Sequence, residues 1–221
     1  MGELALERFG KVHMLVNNAG VASAPGPIEA TNHKDWDWVI DVNLKGVIYG
    51  AEAIVPLIKQ HGEGGWMINV ASMAGMMGVP YAGAYTATKV AVVGMTESWH
   101  MELAKHNIHV SALCPAFVKT RIHLSHRNRQ SEHLDTNRVD SANRAPKHNA
   151  AKELVENGIP AELVGQRVLE ALNAKELYIF THPAQRDVVQ RRSKAIDDAF
   201  TRAEQSPLLI DVEDQAPIFF E

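Results

Sequence analysis

With 221 residues, 46% of them hydrophobic, the chain is long enough to bury one sizeable core. Its formal net charge of −4 gives no reason to expect nucleic acid or an anionic membrane as a partner. The single cysteine, Cys114, excludes an internal disulfide, and within the apolar run IHVSALC it reads as a buried, inert thiol.

In chain order, residues 3 to 9 predict the last turns of a helix, closed by Gly10. His13 to Asn17 (HMLVN) is a short apolar strand, followed at once by Asn18, Ala19 and Gly20, and then by a loop to Asn32 containing Pro25, Gly26 and Pro27. A long helix is expected from Asp35 to about His61, ending at the glycine-rich HGEGG. Trp66 to Val70 is a continuous apolar run of strand length, as expected of a strand covered on both faces. Ser72 sits in the loop after it. The next helix, running to about His106, presents Tyr85 and Lys89 on one side, since positions i and i+4 share a helical face. Ile108 to Cys114 is another buried strand, stopped by Pro115.

From about 118 to 157 arginine, histidine, asparagine and serine crowd together and apolar periodicity is lost. A connection of that length implies a functional lid or a poorly ordered segment. His123, His126, His133 and His148 lie within it, but no carboxylate or cysteine pattern accompanies them, so no metal is expected. Beyond it come a helix from Ala161 to Leu172 introduced by Pro160, a short strand LYIFT at 177–181, and a helix from Asp187 to about Glu204 with Val189, Ile196 and Phe200 on one side. This gives one domain over 1–205 and a tail over 206–221. No apolar run is long enough to span a bilayer and MGELALERFG has no signal-peptide layout, so the expected address is cytoplasmic.

Alternating strands and helices argue for a parallel sheet with helices on both faces. In such sheets ligands bind at the carboxyl ends of the strands, which is where Asn18, Ser72 and Pro115 fall. A phenol beside an ammonium points to an activated tyrosine, because a nearby cation favours the charged phenolate. Tyr-x-x-x-Lys alone is a weak signal. Its company makes it specific: NNAG at 17–20, Asn43 in DVNLKG, Ser72 thirteen residues before Tyr85, and PAFVKT at 115–120.

On those residues the chain resembles a single-domain short-chain dehydrogenase/reductase, with features in family order from Asn17 to Thr120 and with YIFTHP at 178–183 fitting the last strand. The resemblance implies an α/β fold, here a partial Rossmann-like, doubly wound parallel sheet of about four strands in an αβα sandwich. It implies hydride exchange between NAD or NADP and a secondary alcohol or ketone. Tyr85 is then the general acid/base, Ser72 donates to the substrate oxygen, Lys89 also binds the nicotinamide ribose, and Asn43 holds a relay water. Asn18, Ala19 and Gly20 lie against the adenosine ribose while Asn17 steadies the sheet. Pro115, Ala116, Val118 and Thr120 border the nicotinamide, with Ala116 standing where the family has glycine. Homodimers or homotetramers, built on the Tyr85 helix and the helix before it, are implied for the full-length form, with Trp99 exposed or at such an interface. Epimerases and dehydratases fit less well for want of a larger substrate domain after residue 120. Enoyl reductases fit less well because they space tyrosine and lysine more widely.

One departure is large. No glycine-rich phosphate loop links a strand to a helix, and the first strand matches the family's fourth. About 70 residues of strand and helix would precede it in the family. The chain is then either an incomplete copy of a longer enzyme or a short protein that has lost cofactor binding. The alternative function is an inactive fragment or a non-catalytic oligomerisation partner. Alone, the chain is expected to be aggregation-prone or chaperone-bound and without detectable dehydrogenase activity, because the strand around Val16 becomes a sheet edge.

Overall fold

The computed structural model describes residues 2–22, 25–134 and 145–210. The apolar runs form four parallel strands in the order β1 (Met14–Asn17), β2 (Gly65–Val70), β3 (Ile108–Cys114) and β4 (Tyr178–Phe180). Register sets Val16 beside Ile68, Met67 beside Val110 and Leu113 beside Ile179. Helices α1 (Gly2–Phe9), α2 (His33–Ile40), α3 (Gly46–His61), α4 (Gly83–Ala104), α5 (Ala145–Glu156), α6 (Ala161–Asn173) and α7 (Arg186–Glu204) complete the described chain.

Side chains alternate across a strand, so each strand feeds two cores. On one face Met67, Ile108 and Val110 pack with Ala51, Ile54 and Ile58 of α3 and Leu103 of α4. On the other, Ile68, Leu113 and Ile179 pack with Ala171 and Leu172 of α6. Ile58, Met67 and Ile179 are fully buried, each contributing about 1.5–3 kcal/mol relative to exposure. Trp99, expected outside or at an interface, is partly buried and packs along one side against the α3–α4 core. Cys114 is buried, as expected.

The long helix expected from Asp35 is interrupted. Asn32 caps α2 by accepting from the Lys34 amide (2.8 Å), and a π-turn, Asp41–Lys45, separates α2 from α3. The polar segment after β3 is anchored where it is described. Val118 bridges to Ile159, and 3-10 turns form at Ile122–Asn128 and Ser131–His133. The Arg129 guanidinium pairs with the buried Asp35 carboxylate, donates to His133 O (3.0 Å) and lies 4.9 Å over the Trp38 ring. Residues 135–144 of the expected lid and 211–221 of the expected tail lie outside the described residues.

Contacts divide the chain into a unit running to His182 and a second beginning at Pro183. Within the second unit α7 has no buried residue, and Ile196 and Phe200 are exposed. Among the described residues no strand pairs with the outer edge of β1, where Met14 and Val16 are 43% and 48% exposed, and no helix is long and apolar enough to cross a membrane.

Candidate active site

The carboxyl ends of the first three strands deliver the polar residues. At the end of β1, Asn17 donates to Asn69 Oδ1 (2.8 Å), Asn69 donates to Thr96 Oγ1 (3.0 Å), and Thr96 donates to Val92 O (2.7 Å). All three side chains are buried, so every bond in the relay offsets a desolvation cost. Asn17 fits because residue 50 is glycine: a Cβ there would stand 2.1 Å from Asn17 Oδ1. The relay holds the turn of Asn18, Ala19 and Gly20 at the strand mouth, where all three are exposed.

Ser72 follows β2 and caps the 3-10 turn Met73–Gly75, its Oγ accepting from the Ala74 amide (3.1 Å). The Tyr85 phenol, in the first turn of α4, is near enough to the Ser72 side chain for the hydroxyl to lower its pKa. Lys89, one turn on, is 3% exposed; its Nζ donates to Val70 O (2.8 Å) and lies 5.6 Å from the Tyr85 ring centroid. The phenol does not rest below its ordinary value, as a neighbouring ammonium alone would lead one to expect: burial pushes it above, with the Ser72 side chain acting the other way. The Lys89 ammonium is directed at a backbone carbonyl and sits over the ring face. Burial in turn lowers Lys89 to about 8, partly opposed by Cys114.

Asn43 sits in the π-turn, the kind of helix irregularity that re-aims a functional side chain. Its Oδ1 accepts from Val21 N (2.8 Å) and its Nδ2 donates to Val21 O (3.0 Å) and to Thr88 Oγ1 (3.4 Å). It therefore clamps the chain just after Gly20. A Cβ on Gly20 would lie 3.6 Å from Asn43 Oδ1 and 3.8 Å from Lys89 Nζ, so the turn, Asn43 and Lys89 converge. The lid reaches the same place, with Ala22 N donating to Ser125 Oγ (3.1 Å).

After β3, Pro115 O lies 3.5 Å from Ser72 Oγ and also accepts from Met73 N (2.9 Å). Ala116, Val118 and Thr120 continue this loop, and Lys119 N donates to Ile159 O (2.9 Å). A residue not singled out in the sequence, His182, holds the loop. Its Nδ1 accepts from Ala116 N (3.2 Å) and the Thr181 hydroxyl (2.7 Å), and its Nε2 faces Phe117 O at 3.1 Å. A carbonyl partner requires Nε2–H, so this is the neutral Nε2–H tautomer. The histidine in YIFTHP was the available signal, but nothing local ties it to a loop 65 residues earlier.

Comparison with known proteins places the chain in a family. Residues 2–131 match the family model described as short chain dehydrogenase. The chain is similar to a CLA biosynthesis dehydrogenase/reductase of Lactiplantibacillus plantarum, 33% identical over 88% of this chain and 69% of the relative. It is similar to a C alpha-dehydrogenase of Sphingobium sp. (strain NBRC 103272 / SYK-6), 30% identical over 90% of this chain and 64% of that one. Among solved structures, it resembles a short chain dehydrogenase/reductase from Burkholderia phymatum in complex with NAD, with a TM-score of 0.84 and 32% identity over 99% of this chain and 74% of that chain.

Proposed function

The chain belongs to the short-chain dehydrogenase family, and from that membership we propose that its site interconverts a secondary alcohol and a ketone with NAD or NADP as hydride partner. The observation that carries this reading is the meeting of Ser72, Tyr85 and Lys89 at the carboxyl end of β2. The residues suit a nicotinamide dinucleotide. The buried Lys89 ammonium has three hydrogens, one of which is spent on Val70 O, and the small, exposed turn 18–20 lets a ligand approach the backbone. Lys89, Tyr85 and Asn18, Ala19 and Gly20 would hold its ribose groups, and Pro115, Ala116, Val118 and Thr120 its nicotinamide end. When bound, that group supplies the hydride acceptor or donor.

The chain's own residues then manage the oxygen. Tyr85 rests as a neutral phenol, because burial disfavours its anion, which suits it to protonate a ketone oxygen as hydride arrives at carbon. Ser72 shares the hydrogen bond to that oxygen and keeps it beside the phenol. The Lys89 ammonium at 5.6 Å from the ring offsets the charge left on the phenolate. Asn43, with both amide ends on Val21, acts as a positioning residue for the cofactor turn.

A second reading is non-catalytic association with another chain. It is favoured by the apolar outer edge of β1, which no strand pairs among the described residues. NADH and NADPH fluorescence titrations separate the two. The oxidoreductase reading expects saturable binding of at least one nucleotide, with Tyr85→Phe retaining binding while turnover falls about 10²- to 10⁴-fold. Absence of binding to both nucleotides leaves the second reading.

A further inference from the structure

At the opposite end of the sheet, before β1 and β2 begin, a second polar cluster forms. Helix α3 ends at His61, and the chain returns to β2 through Gly62 and Gly64, at φ +70° and +77°. Only glycine takes that backbone at no steric cost, and a Cβ on Gly64 would also stand 2.4 Å from Asn107 O. Glu63 is thus held between two left-handed residues and folded back on the helix end. His13 is held from the other side, its carbonyl accepting from Trp66 N at 2.9 Å.

Three donors converge there. His13 Nε2 lies 2.7 Å from Glu63 Oε2, the His13 and His61 rings lie tilted at 38° with centroids 4.3 Å apart, and one ligand atom from each of the three residues lies within 4.8 Å of the others. His61 Nε2 faces Val12 O at 2.8 Å and must carry the hydrogen, which makes Nδ1 the ligating atom; its lone pair now accepts from Glu63 N at 3.1 Å, a bond the cation would replace. A backbone carbonyl on the far ring nitrogen is the outer-shell arrangement that orients metal-bound histidines. Two imidazoles and a carboxylate form a donor set suited to first-row divalent cations such as zinc.

We infer that His13, His61 and Glu63 form a binding site for a divalent first-row cation, Zn²⁺ foremost, with water completing the coordination. The cation takes the place of the hydrogen that His13 Nε2 now directs at Glu63. Lys11 pairs with the other carboxylate oxygen and is the built-in competitor. Occupancy would tie the start of the edge strand β1 to the α3–β2 turn. The site is independent of the proposed chemistry at Tyr85.

The test is calorimetric titration of the whole, chelator-treated chain with ZnCl₂, read alongside its melting temperature. One ion per chain and a raised melting temperature are expected. His13→Asn, His61→Asn and Glu63→Gln should each weaken binding about 10-fold or more. Lys11→Met should strengthen it by removing the competing ammonium, and His123→Asn in the lid should leave it unchanged. No stoichiometric binding, or binding that survives His13→Asn combined with Glu63→Gln, overturns the site. So does affinity that Lys11→Met fails to raise, an outcome that does not depend on the ligand variants folding.

Discussion

Replacing Thr96 by valine tests whether the buried Asn17–Asn69–Thr96 relay holds the mouth of the site. Valine keeps the branched shape, so no cavity opens. The hydroxyl that accepts from Asn69 Nδ2 at 3.0 Å is lost, and Asn69 is fully buried with its Oδ1 already engaged by Asn17. Its amide hydrogen is left without an acceptor, at a cost of about 1–3 kcal/mol. The hydroxyl's own bond to Val92 O costs little to lose, since that carbonyl remains in the helix. The added methyl returns at most about 0.8 kcal/mol. The net expectation is a loss of about 1–2 kcal/mol, or a 5- to 30-fold smaller folded-to-unfolded ratio. Urea unfolding of wild type, Thr96→Val and Thr96→Ser measures it. Thr96→Ser keeps the acceptor and should stay close to wild type. Equal stability of Thr96→Val and wild type, or equal losses in both variants, would refute the reasoning.

Three further outcomes follow from the same geometry. Burial raises the Cys114 thiol to about 12 from 9.0, so the unfolded chain ionises first; stability is full below pH 9 and falls as pH climbs from 9 towards 12. Cys114→Ala should flatten that alkaline loss in unfolding titrations, and an unchanged slope would exclude the thiol as its source. His182→Ala should weaken nucleotide binding about 10-fold through loss of the bonds to Ala116 and Phe117, with His182→Gln recovering part of it. Equal binding by all three forms would show that the loop holds itself. Val16→Lys places a charge on the exposed edge of β1 and should lower the light scattering of concentrated samples; unaltered scattering would point to another route of association.

Near-neighbour patterns carried much of this protein. The apolar run bounded by Pro115 predicted β3 with the limits observed, because a strand covered on both faces reads as continuous hydrophobicity and proline ends it. The alternation of strands and helices was enough for a parallel sheet, and the spacing of Tyr85 and Lys89 was enough to put them on one helix. The π-turn at Asn43 was not legible, since one extra residue in a helix leaves the surrounding apolar spacing nearly intact. Nor could spacing say where Lys89 would point. That depended on a carbonyl of β2, 19 residues away, and the burial that raises the Tyr85 phenol depended on the packed fold around it.

The remaining decisions were made by strand register. Asn17 meets Asn69 because β1 and β2 pair in parallel at that position. His182 reaches Phe117 because β4 ends beside β3, and His13 reaches Glu63 because both strands start at the same end of the sheet. Composition and periodicity determined which segments are strands and helices, and the motifs with their family resemblance singled out the candidate site residues. Only the assembled sheet decided which of those residues touch, since hydrogen bonds act over about 3 Å and their partners here lie tens of residues apart in the chain.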